Sequence, residues 1–395
     1  MKNEIRDNWL VFFWEGRIDT NNAAEIEKEI MDIFEQNKHC GIIIDAKQLT
    51  YISSAGLRIL MRLRKEAGSV KVIEVSNDIY EIFETTGFTE ILEINKALRN
   101  ISIEGCKLLG KGGNGTVYRL NDETIVKVYR PGISFEEINY EREYAKAAFV
   151  AGIPTAIPFN LVKVGESYGT IYELMNSDTL SNALISQPEQ YEELMDKYYA
   201  LIKKLGETTV DTNLFSSYKS ILLRRCEGLY DIYGEEDTER IKSLVSSIRE
   251  TNTLIHGDLH PGNVMLQGDE LMLIDMADLS TGSPIFELAS LYRDLGSEKE
   301  GEAKNQIECS TGMDIEDIKK VWKGLCRRYF ETEDESVIQQ KLAPYQLVYA
   351  LNVATIVSEI PPHMKETFVP AVKKNLVDGV LLPNEDKLRQ ILSTL

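Results

Sequence analysis

The run His256-Gly257-Asp258-Leu259-His260-Pro261-Gly262-Asn263 is followed, after a short apolar stretch, by Leu273-Ile274-Asp275. Asp258 and Asn263 lie five positions apart on what must be a single loop, because Pro261-Gly262 cannot continue a helix. A carboxylate at Asp258 can accept the proton of an attacking hydroxyl, and the amide oxygen of Asn263 can bind a metal. Asp275, at the end of a strand-like run, adds a carboxylate for Mg²⁺, a hard cation that prefers oxygen ligands. Phosphoryl transfer needs mainly positioning and charge neutralisation, and these three groups supply both. A lone Asp and Asn at this spacing would more simply cap a turn. His256 and His260 have the spacing of a metal-binding pair on a helix, but on a loop their expected role is to brace it by hydrogen bonds, not to hold zinc.

A second motif, Gly110-Lys111-Gly112-Gly113-Asn114-Gly115-Thr116-Val117-Tyr118, lies upstream. Alone, such a glycine pattern is a hairpin turn as readily as a phosphate loop. Here Thr116–Leu120 continues as a strand and not as a helix. That is the arrangement in which Gly110, Gly112, Gly113 and Gly115 lay backbone N–H groups over ATP phosphates. The next strand, Thr124–Tyr129, places Lys127 among β-branched neighbours, where an unpaired ammonium is costly. A lysine reaching the α/β-phosphates accounts for it; a solvent-facing lysine on an edge strand is the plainer alternative. Its expected carboxylate partner on the helix that follows is Glu143, which shares a face with Tyr140 and Ala147. Ile171–Met175 then reads as a hinge, with Glu173 and Met175 beside the adenine.

These residues resemble the aminoglycoside phosphotransferase and choline-kinase-like branch of the protein-kinase fold, over about residues 103–300. That branch carries HGDLHPGN with a following ID, whereas ordinary protein kinases carry HRD and DFG; here Asp275-Met276-Ala277 stands at the latter position. The resemblance implies ATP and Mg²⁺ as cofactors and a hydroxyl group, of a small molecule, as acceptor. Glu287 stands where the family usually has an Asp that braces the catalytic loop, one methylene shorter.

Positioning these groups requires a β-rich lobe for the glycine loop and Lys127, and a helical lobe for the rest. Strand-like segments at 124–129, 160–165 and 169–174 and a helix at 134–151 serve the first. Helical periodicity at 188–207, 215–232, 237–250, 313–332, 335–358 and 385–394 serves the second. The first hundred residues differ: strands at 9–14, 41–45 and 70–75 alternate with helices at 21–37, 54–67 and 78–86, which implies a mixed or parallel sheet covered by helices. Within them, Asp45–Leu57 resembles the STAS domain of anti-sigma-factor antagonists over about residues 5–95. Ser54 holds the phosphoacceptor position of that family, at a helix N-terminus that favours phosphate charge. Ser53 replaces the Asp that often precedes it. A plain N-cap role for this serine pair is equally expected.

The expected architecture is thus an α/β STAS-like domain, 1–98, joined to an α+β protein-kinase-like bilobal domain, 103–395, with its N-lobe over 103–175 and its C-lobe over 176–395. Residues 1–100 carry 13 Lys+Arg against 17 Asp+Glu, and the remainder 31 against 46. A body this acidic disfavours nucleic acid as partner. No apolar run approaches the ~20 residues of a membrane span, no signal peptide is read at the start, and five unpatterned cysteines point to a reducing cytoplasm. The STAS-like part has no catalytic group, so regulation or binding of a protein partner is its expected task. Two other readings stay open: a kinase for protein serines, Ser54 included, and a nucleotide-binding signalling module without turnover.

Overall fold

The computed structural model describes residues 1–6, 8–38, 40–175, 178–298 and 301–394. The chain divides into two compact units, Met1–Ile101 and Ser102–Leu395.

In the first unit, strands Asn3–Arg6, Trp9–Ile18, Gly41–Ile52, Val70–Val75 and Glu93–Lys96 form one sheet in sequence order. The first pair is antiparallel. The later neighbours are parallel, because a helix crosses between each pair: Ala23–Glu35, Ser54–Ala67 and Asn77–Thr85. Alternate side chains Ile42, Ile44 and Ala46 are fully buried, and they meet Ile30, Leu60 and Phe83 from the helices. The strand expected at 41–45 continues to Ile52. Its polar second half pairs with Trp9–Ile18 through two register shifts, an irregularity that a periodicity reading does not resolve.

In the second unit a twisted antiparallel sheet runs, in neighbour order, Pro158–Val164, Ser167–Glu173, Thr124–Tyr129, Gly115–Arg119 and Lys107–Lys111. The helix Phe135–Val150 packs on it and is started by a capping box between Ser134 and Glu137. The rest is mostly helical. Apolar side chains gather in two clusters, one around Tyr198, Leu259 and Leu291, the other around Leu222, Phe286 and Leu351. The helices expected at 215–232 and 237–250 are Tyr218–Glu227 and Tyr230–Ser246; the second is kinked at Gly234, whose φ of 79° leaves the helical region. The short helices Leu180–Ser186 and Gly301–Thr311 escaped the sequence reading, since two or three turns are too short to carry a clear periodic signal. Among the described residues no helix is long and apolar enough to cross a membrane.

Candidate active site

The loop 256–263 is anchored at both ends by strands. Leu254–Ile255 leads in, paired with Ser280–Thr281, and Val264–Gln267 leads out, paired with Glu270–Leu273. Leu259, fully buried in mid-loop, pins its centre, and its carbonyl accepts the Tyr198 hydroxyl at 2.5 Å. The His256 ring is fully buried: Nε2 lies 3.1 Å from the Ile274 carbonyl and Nδ1 accepts from the Asp258 N–H at 3.4 Å. Nδ1 of His260 accepts from the Gly262 N–H at 3.1 Å. Both histidines therefore brace the loop.

Glu287, on the helix Pro284–Leu291, reaches under the same loop. Its Oε2 accepts the N–H of His256 at 2.5 Å and that of Gly257 at 3.4 Å. The additional methylene relative to Asp leaves the bracing contact intact. Burial raises the Glu287 carboxyl above the usual range, although His256 and the two N–H donors oppose the shift. A raised carboxyl binds more protons folded than unfolded, so its stabilising contribution is full below the unfolded value and is lost as pH rises. Glu287→Gln keeps an acceptor for the two N–H groups without the buried charge. It should melt no lower than wild type at pH 5, and its advantage should grow towards pH 8. Glu287→Ala orphans buried donors and should lose about 1–3 kcal/mol. Melting scans across that pH range check both.

Asp258 is held on two sides. Asn263 Nδ2 donates to Asp258 Oδ2 at 2.9 Å and to its carbonyl at 2.8 Å. Arg293 Nη2 lies 3.4 Å from Oδ1 and donates to the Gly257 carbonyl at 3.1 Å. Arg293 in turn forks onto Asp294, at 2.7 and 2.8 Å. Burial would lower the guanidinium, but Asp294 and Asp258 outweigh it and raise it further. Nearby Asp278 is raised by burial and by the charge of Asp258. Arg293 was not singled out from sequence. Its signal was a charged pair, Arg293-Asp294, just after the mainly apolar run Pro284–Leu291.

A cavity of about 410 Å³ lies between the sheet and this loop. Gly110, Gly112 and Gly115 line it from the hairpin, Glu173 and Met175 from the hinge, and Asn263 and Asp275 from the helical lobe. Gly113 sits at the hairpin tip and is not part of the lining. A Cβ on Gly115 would come within 2.4 Å of the Val128 carbonyl, so that glycine is needed for strand packing. Gly110 and Gly112 differ: neither has positive φ, and a Cβ on either would meet no protein atom. Without side chains, their backbone leaves that side of the cavity open to close approach.

Lys127 crosses the cavity. Its Nζ lies 2.7 Å from Glu141 Oε1 and 2.9 Å from Asp275 Oδ1. Burial alone would lower the ammonium, but the two carboxylates outweigh it and hold it above an ordinary lysine. The Tyr172 hydroxyl also donates to Glu141, at 3.4 Å. The partner expected for Lys127, Glu143, is instead exposed and engaged with Arg142 and Lys146. Two residues along a helix turn the side chain by about 200°, so Glu141 and Glu143 cannot share a face. Glu141 is among the residues the helix buries against the sheet, with Ile138, Ala145 and Ala148.

Asp275 has φ 61° and ψ 70°, a left-handed conformation that costs a non-glycine residue energy and turns up at functional sites. Among the described residues no group of three or more His, Cys, Asp or Glu could hold a metal. The residues nevertheless fit Mg²⁺: Asp275 offers a carboxylate, and Asn263, whose amide nitrogen is committed to Asp258, offers its Oδ1. Mg²⁺ habitually takes one or two such ligands and completes its shell with water and phosphate.

In the first unit, Ser53 caps the helix Ser54–Ala67 by accepting from the Ala55 N–H at 3.2 Å. Ser54, the next residue, is exposed. The cap role expected of this pair is filled by Ser53.

A model of the STAS domain matches residues 1–101 and a model of the phosphotransferase enzyme family matches residues 105–308. An anti-sigma-B factor antagonist of Listeria monocytogenes is 27% identical over 86 residues, 21% of this chain and 75% of that protein. Among solved structures, the ADP-bound aminoglycoside phosphotransferase APH(2'')-Ib is 16% identical. It covers 76% of this chain and 99% of its own, with a TM-score of 0.47. A choline/ethanolamine kinase family protein from Mesorhizobium loti is 12% identical, covering 73% and 92%, with a TM-score of 0.43. The matched span 105–308 contains Lys127, Glu141, Asp258, Asn263 and Asp275 together. The chain belongs to the phosphotransferase enzyme family, and it carries a STAS domain at its N-terminus.

Proposed function

We propose that the second unit transfers the γ-phosphoryl group of ATP to a hydroxyl group of a small molecule, with Mg²⁺. The observation that carries this reading is continuity. A single cavity runs from a glycine hairpin past Lys127 to Asn263 and Asp275, and Asn263 holds the one half-exposed carboxylate of the loop, Asp258. In this reading the hairpin backbone and Lys127 bind the phosphates, and the hinge at Glu173–Met175 flanks the adenine. Asp275 and Asn263 would hold Mg²⁺, which when bound neutralises phosphate charge. Asp258 accepts the proton of the acceptor hydroxyl; that oxygen bonds to the γ-phosphorus as the bond to the β-phosphate oxygen breaks, and ADP leaves. Arg293 keeps the carboxylate aimed.

The STAS domain is proposed to bind a protein partner or regulate the neighbouring unit, with exposed Ser54 as a phosphorylation site whose added charge the helix N-terminus would favour. A cytoplasmic place is proposed for the chain; all five cysteines are free. An acceptor serine on protein, Ser54 included, is the second reading, favoured by that exposure.

The full chain should be incubated with Mg-ATP alone and with a panel of hydroxyl compounds: aminoglycosides, amino alcohols, sugars and nucleosides. ADP is read by a coupled assay and the protein by intact mass. ADP formation that depends on one compound class, with protein mass unchanged, is the expected result. Phosphate added to the protein would assign the acceptor to protein, and binding of ATP without ADP would make this a module without turnover.

A further inference from the structure

The helix Phe135–Val150 must present Glu141 to Lys127, yet the side chains it buries are Ile138, Glu141, Ala145 and Ala148. One isoleucine and two alanines give little shape to fix its rotation, so a directional contact carries weight here. Tyr144 makes one. It lies three residues beyond Glu141, hence on a neighbouring part of the same face, and it reaches the helical lobe. Its hydroxyl accepts the Ser216 N–H at 3.2 Å and lies 3.1 Å from Ser216 Oγ. Its ring packs on buried Phe215 with centroids 5.2 Å apart.

The seat of Tyr144 is itself tied to the site. The Ser216 carbonyl accepts the Thr281 N–H at 3.0 Å. Thr281 pairs with Leu254, two residues before His256 and the loop of Asp258, and it lies six residues after Asp275. A continuous hydrogen-bonded path thus joins the helix of Glu141 to the strand pair Leu254–Ile255 and Ser280–Thr281, the first of which leads into the loop.

We infer that Tyr144 is a positioning residue: its hydroxyl, seated on Ser216, sets the helix so that Glu141 meets Lys127. This inference rests on the proposed nucleotide role of the Lys127–Glu141 pair. Mg-ATP affinity of the full chain, measured by calorimetry, tests it in a double-mutant cycle. Tyr144→Phe keeps the ring on Phe215 and removes only the hydroxyl. It should weaken Mg-ATP binding about 3- to 10-fold, as for loss of one net hydrogen bond, with melting temperature nearly unchanged. In a Glu141→Gln background the same change should have almost no further effect, because the group it positions is already lost. A purely structural tyrosine would give equal effects in both backgrounds, and that result overturns the inference, as does unchanged affinity in Tyr144→Phe. Lys127→Met separates the two levels. If it leaves Mg-ATP affinity intact, the nucleotide reading fails and the inference with it; if it weakens binding while Tyr144→Phe does not, only the inference fails.

Discussion

Asp258→Asn should lower the rate of phosphoryl transfer by at least about 10²-fold while Mg-ATP affinity stays within about 3-fold of wild type. The asymmetry follows from where the carboxylate sits. Asp258 is not part of the cavity lining; it lies beyond Asn263, which bonds both its Oδ2 and its carbonyl. The loss therefore falls on the proton of the acceptor and not on the nucleotide. An amide at this position can still accept from Asn263, but it has one oxygen where Arg293 and Asn263 use two, so some reorientation adds to the lost basicity. Single-turnover rates at saturating acceptor, with calorimetry for Mg-ATP, measure both quantities. A variant that turns over within about 10-fold of wild type would remove Asp258 from the chemistry.

What was legible in the sequence divides along physical lines. Groups held on one short segment were readable, because spacing alone limits their geometry: Asp258, Asn263 and the two histidines share a loop, and the structure brings all four together there. Most strands of the larger sheet in each unit, and most long helices, were readable from periodicity. Groups brought together by packing between elements were not. Glu141 and Glu143 sit on one amphipathic helix, and choosing between them requires knowing which face meets the sheet. Tyr140, used to choose that face, is in fact 61% exposed. Arg293 reaches Asp258 across 35 residues through a helix whose path no local pattern announces. Glu287 shows the converse. A single-methylene departure from the expected Asp reads as a risk in sequence, yet the helix Pro284–Leu291 stands at a distance that lets the longer side chain reach two loop N–H groups.

The same dependence on packing sets the consequence of changing Asp275. Its carboxylate meets Lys127, whose ammonium is also paired with Glu141, so three charged groups from a strand, a helix and a turn share one cavity. Asp275→Asn is the informative substitution. Asn tolerates the left-handed backbone at φ 61° as Asp does, so the change removes charge without adding backbone strain. With the proposed Mg²⁺ ligand neutralised, the gain in ATP affinity that Mg²⁺ normally brings should fall by at least about 10-fold. Transfer should fall by about 10²-fold or more, since phosphate charge is then less well offset in the transition state. ATP binding without Mg²⁺ should change far less, and in the favourable direction, because the variant lacks one negative charge beside the phosphates. Calorimetric titrations of ATP with and without Mg²⁺ separate these effects. If the Mg²⁺-dependent gain is the same in Asp275→Asn and wild type, Asp275 is only the structural partner of Lys127, and the metal must be held elsewhere.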